Sequence, residues 1–173
     1  MISEKQIKAN TEALSFALEL LDFVKTSFYP KFTLTTRFDW AVSRRSSRGG
    51  IYKDGPGINM AMHSAALIYH DPRDVYRFYE YPSYDSDATI GGFYSKNYSD
   101  KLRALVAHEV AHAVQYYEYS ETGIRCKPHG PVFKKYYSIF RQKYINNTLG
   151  NQIALKSEYE KYFPTNSYKL LLR

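Results

Sequence analysis

Cysteine is almost missing from this chain: Cys126 stands alone among 173 residues, so no intrachain disulfide can form. That excludes the disulfide-stapled scaffolds of oxidising compartments and makes an intracellular protein, cytoplasmic or at the nucleoid or nucleus, the expectation. Long apolar runs are missing too. Nothing approaches the roughly twenty residues that span a bilayer, and Met1-Ile2-Ser3-Glu4-Lys5-Gln6 lacks the basic-then-apolar order of a secretory leader, so no membrane partner is expected. No internal repeat or low-complexity linker divides the chain. One domain over residues 1–173 is therefore expected, long enough to bury a core.

Aromatic residues are plentiful: 18 Tyr and 10 Phe, against a single Trp. Tyrosine suits both a core with a half-wet rim and a surface on which bases stack. With 24 Lys and Arg against 17 Asp and Glu, the net charge of +7 favours acidic partners, nucleic acid first among them. A basic soluble protein without such a partner has the same composition, and the charge names no oligomeric state.

The most informative stretch is Leu105-Val106-Ala107-His108-Glu109-Val110-Ala111-His112-Ala113-Val114. Four residues make a little over one helical turn, so His108 and His112 leave the same face and can grip one metal ion. Glu109 beside them can reach a water activated by that metal without occupying a ligand position, the arrangement of a zinc metalloprotease helix. Residues 99 to 120 contain no Pro or Gly, Ser99 or Asp100 offers an N-cap, and Leu102, Leu105, Val106, Ala113, Val114 and Tyr117 recur at helical spacing.

The other elements are expected as follows. Residues 3 to 28 read as an amphipathic helix with Ile7, Leu14, Leu18, Leu21 and Val24 on its apolar side, closed by Tyr29-Pro30. Phe32, Leu34 and Thr36 alternate with Lys31, Thr33, Thr35 and Arg37, the period of a half-buried strand. Residues 44 to 50 read as a turn, and Ile51–Lys53 and Ile58–Met62 as short strands separated by Asp54-Gly55-Pro56-Gly57. A helix is predicted over 71 to 81, with Pro72 in its first turn and Val75, Phe78 and Tyr79 on one side. Pro82 to Asp87 is a loop by composition, and Gly91-Gly92 is a turn or the hinge of a flap.

After an irregular connection, Pro131 suits the first turn of a helix with Phe133, Tyr136 or Tyr137, Phe140 and Tyr144 inward and Lys134, Lys135, Arg141 and Lys143 outward. A last helix is predicted over 152 to 162. Arg44, Arg45, Arg48 and Lys53 could neutralise phosphates from one exposed corner; a solvated basic loop explains them more simply.

A catalytic zinc usually takes three protein ligands and keeps one position for water. His129, immediately before a helix expected to pack beside the metal helix, is the strongest third candidate. Cys126-Lys127-Pro128-His129 also has C-x-x-H spacing. With Cys126 included, four ligands would close the site and make the protein a nucleic-acid-binding module with a structural or silent zinc. His63 and His70 read as surface or hydrogen-bonded histidines. Tyr116, Tyr117, Tyr136, Tyr137 and Arg125 are all near enough in sequence to stabilise an oxyanion.

His129-Gly130-Pro131-Val132-Phe133 after H-E-x-x-H resembles the paired motifs of the SprT-like metalloproteases, the family that includes Spartan. Arg48-Gly49-Gly50-Ile51 followed by Ile58-Asn59-Met60 is similar to that family's short hairpin, and the resemblance spans residues 31–147, with 148–173 a C-terminal helix and tail. The resemblance implies an α+β fold: an N-terminal helix, a small antiparallel sheet, then a zincin-type metal helix and further helices. It also implies one zinc ion on His108, His112 and His129, Glu109 as general base, and a protein substrate that is DNA-bound or DNA-crosslinked in some members. No Cys-rich zinc ribbon follows the core here, and the stretch between hairpin and metal helix is longer.

Overall fold

Ser3 starts the first helix by a reciprocal cap. Its hydroxyl accepts from the Gln6 backbone N–H while the Gln6 side chain accepts from the Ser3 N–H at 2.7 Å. The computed structural model describes residues 3–40, 46–62, 75–78, 87, 89–145 and 149–162. Helix α1 (Glu4–Ser27) ends where the Phe28 and Tyr29 N–H groups both turn back to the Val24 carbonyl. Its buried face is Ala9, Ala13, Phe16, Ala17, Leu20 and Val24. The expected stripe was set about a quarter-turn away, and Ile7 and Leu18 are in fact more than half exposed. Three alanines at four-residue spacing let a neighbouring helix approach closely, which larger leucines on that face would prevent.

Strands β1 (Thr35–Asp39), β2 (Arg48–Tyr52) and β3 (Gly55–Ala61) form one sheet in the order β1-β3-β2. The α+β class is as expected, and the sheet is mixed: β2 pairs antiparallel with β3, whereas β1 pairs parallel with it, Thr35 opposite Gly57 and Asp39 opposite Ala61. The hairpin turn is only Lys53-Asp54, with Gly55 at φ 102°, so Arg48-Gly49-Gly50 belongs to a strand and not to the expected turn. β1 begins four residues later than the alternation suggested, although Phe32 is fully buried ahead of it.

Residues 76–78, expected in a helix, are strand β4 (Tyr76–Phe78), paired antiparallel with β5 (Phe93–Ser95). The short Val75-Tyr76-Arg77-Phe78 stretch fits either period, and here cross-strand pairing with Phe78 packed on Phe93 at 5.0 Å decides it.

Helix α2 (Tyr98–Thr122) is capped by the Asn97 side chain, two residues before the expected cap, and ends at Gly123, whose φ of 70° suits a glycine. Helices α3 (Pro131–Tyr144) and α4 (Leu149–Tyr162) follow. α2 runs through the core, with β2, β3, α1 and α3 packed around it. The Gln152 amide on α4 bonds both the N–H and the C=O of Tyr94, at 2.6 and 2.8 Å, as a further strand would.

One expected surface residue is buried. The helical pattern puts Arg141 on the basic outer face of α3, yet it is fully inaccessible and donates to the Ile90 and Gly91 carbonyls and the Tyr137 hydroxyl. Its guanidinium also lies 4.4 Å from the Phe93 ring centre, a delocalised cation on an aromatic face. Those bonds, with Gly91 N–H donating to the Asp87 carbonyl, make residues 90–91 a pinned turn and not a flap hinge. Among the described residues no helix is long and apolar enough to cross a membrane.

Candidate metal centre

His108 and His112 lie one turn apart on α2 and are only 6% and 8% exposed. His129 comes from the connection between α2 and α3. Its Nε2 is 3.2 Å from His108 Nε2 and 2.9 Å from His112 Nε2, and one ring nitrogen from each of the three falls within 4.8 Å of the others. Imidazoles at about 2.0–2.1 Å from a tetrahedral ion stand about 3.4 Å apart, so the cluster fits a single metal bound by three nitrogens. Zinc, copper, iron and nickel all accept such donors.

His129 has a φ of 57°, the one left-handed non-glycine among the described residues, and Gly130 and Pro131 then open α3. A Cβ on Gly130 would meet the Lys127 carbonyl at 2.8 Å, so the glycine permits this tight return. Phe133, the last residue of the second motif, is fully buried and touches all three rings: it stacks on His112 at 4.4 Å and meets His108 and His129 edge-on, both at 4.8 Å. The motif therefore needs its aromatic residue to wall the centre as well as its histidine to fill it.

Glu109, next to His108, is 7% exposed. Against its backbone lies Gly49 of β2: a Cβ there would fall 1.8 Å from the Glu109 carbonyl oxygen and 3.0 Å from His112 Cβ. The glycine of the expected turn is thus the point where the sheet is seated on the metal helix.

The other candidates fall at different distances from the centre. Cys126 is half-buried, its thiol directed at the Gln115 carbonyl at 3.9 Å, and the metal cluster does not include it. Tyr136 and Tyr29 both direct their hydroxyls to Glu118. Burial is the main cause that raises the Tyr136 pKa far above the ordinary tyrosine range, reinforced by its bond to Glu118. The Tyr137 hydroxyl accepts from Arg141 while its ring lies edge-on to His108 at 5.2 Å; Tyr117 packs on Phe32 and Tyr29, and Arg125 is exposed. Tyr116 lies beside His112 and, with Arg48, Gly50, Tyr52 and Tyr119, lines a groove of about 690 Å³ between β2 and the end of α2. Arg48 and Lys53 are exposed on the hairpin; Arg44, Arg45, His63 and His70 lie outside the described residues.

Sequence reasoning missed Gln115. It is fully buried, with Oε1 3.2 Å from His112 Nδ1 and Nε2 2.7 Å from the Lys127 carbonyl. A glutamine three residues after a proposed ligand, directly following the apolar Ala113-Val114 pair, was the available signal.

Residues 92–154 match the family model described as SprT-like family, the family whose paired motifs the sequence resembles. The matched segment takes in α2, the His129 turn and α3; the hairpin lies before it. No curated protein and no solved structure gives a significant match.

Proposed function

We propose, taking the SprT-like match over residues 92–154 as premise, that this protein is a zinc-dependent endopeptidase. The observation that carries the reading is the convergence of His129 with His108 and His112 beside a nearly buried Glu109. A zinc ion held by the three imidazoles supplies Lewis acidity and lowers the pKa of water. The chain supplies the rest. Glu109 accepts the proton of the attacking water and returns it to the leaving amine, while Phe133 keeps the imidazoles apart from bulk solvent. The groove of about 690 Å³ beside Tyr116 is the proposed seat of the substrate polypeptide.

The alternative, a binding module with a closed four-ligand zinc, needs Cys126 in the cluster, and its thiol is directed elsewhere. DNA-associated proteins are the proposed substrate class. Support comes from the net charge of +7 and from Arg48 and Lys53 standing exposed on the hairpin that borders the groove.

The test is Glu109→Gln on the zinc-loaded chain, incubated with a DNA-binding protein with and without DNA. Cleavage should fall by about 10²–10⁴-fold, the usual worth of a general base, while one zinc stays bound. Undiminished cleavage would refute the assigned chemistry. Cleavage indifferent to DNA would remove the proposed substrate class and leave the peptidase.

A further inference from the structure

Gln115 bridges the two parts of the candidate centre, and its amide can be oriented from chemistry alone. The Lys127 carbonyl can only accept, so the atom 2.7 Å from it must be the amide nitrogen. The amide oxygen then faces His112 Nδ1 at 3.2 Å, and an amide oxygen can only accept. His112 must therefore carry its proton on Nδ1, which leaves the Nε2 lone pair facing His129 Nε2 at 2.9 Å. The same Lys127 carbonyl also accepts from the Gly130 N–H at 2.9 Å, closing the turn that contains His129. A left-handed φ is unfavourable for histidine, and this doubly held carbonyl lies two residues before it, within the same turn.

We infer that Gln115 is a positioning residue that couples the helical ligands to the third one. It selects the metal-binding tautomer of His112 with one end and anchors the His129 turn with the other. The inference rests on the proposed metal site and deepens it.

Two substitutions separate the two ends. Gln115→Leu keeps a similar volume and loses both bonds. Gln115→Glu keeps an acceptor for His112 and loses the donor to Lys127. Zinc affinity of the full chain is measured by competition with a chromogenic chelator, and the histidine tautomers of the metal-free chain are read by ¹⁵N NMR at pH 8. The Leu variant should bind zinc about 10–100-fold more weakly and lose the Nδ1–H signature of His112. The Glu variant should keep that signature and still bind zinc about tenfold more weakly, because the third imidazole is no longer anchored.

Wild-type zinc affinity in the Glu variant would overturn the coupling. A His112 proton on Nε2 in the metal-free wild type would overturn the tautomer assignment, and that measurement needs no variant to fold. A chain that binds zinc through three imidazoles but cleaves no protein would defeat the peptidase reading and leave this inference standing. Continued cleavage with unchanged zinc affinity in both variants would do the reverse.

Discussion

Glu118 illustrates how single side chains here work outside the metal centre. Burial opposes its ionisation, but the hydroxyls of Tyr136 and Tyr29, with Lys135 close by, outweigh that and hold its carboxyl below the ordinary value. The folded state thus binds fewer protons than the unfolded one near pH 4. This contribution is complete above the unfolded value of about 4.3 and is lost as pH falls through the lower folded value. Glu118→Gln should cost about 1 kcal/mol at pH 7, and the difference from wild type should vanish in acid, as thermal melts across pH 3 to 7 will show. Arg141 is a costlier loss. Arg141→Leu leaves two buried carbonyls and the Tyr137 hydroxyl without their donor, and denaturant unfolding should register a loss of about 3 kcal/mol.

Among the elements, the closest seat is that of β2 on α2, against Glu109 and His112. Gly49→Ala would drive a methyl into the Glu109 carbonyl, and backbone cannot move aside as a flexible side chain can. The expected cost is about 3 kcal/mol or more, accompanied by weakened zinc binding. Gly50→Ala is the control: its Cβ would meet only the Tyr116 ring, at an ordinary 3.7 Å, and should change stability by less than about 1 kcal/mol. Unequal melting temperatures for the two variants are the check. The sequence marked both glycines as one turn, because local composition carries no record of what lies across from a strand. For the same reason the apolar stripe of α1 was set too far round: leucines advertise burial from composition, but close approach to α2 selected alanines. α2 and α3 were legible almost to the residue, since each combines helical spacing with a recognisable start and stop. Residues 76–78 were not, because three residues carry too little periodicity to oppose pairing with β5.

Across the whole molecule, metal and charge provide the remaining checks. If only the folded chain binds zinc, the ion at a free concentration of 100 times its Kd should stabilise folding by about 2.7 kcal/mol, and a chelator should reverse the rise in melting temperature. If the hairpin meets DNA, replacing Arg48 and Lys53 with alanine should reduce the slope of log K against log salt by about 2, one step for each phosphate contact. An unaltered slope would exclude that edge. His108, Glu109 and His112 were legible because a helix converts spacing into a shared face without help from the rest of the chain. His129 was legible as a candidate, from its place just before a helix and from the motif resemblance, but not as a neighbour of the other two. Its meeting with the other two depends on a left-handed turn, on Phe133 packed among three rings, and on the buried Gln115 amide. The inward turn of Arg141 and the seat of Gly49 on Glu109 also belong to the folded molecule alone, since each depends on partners about fifty to sixty residues away in the chain, beyond the reach of any local pattern.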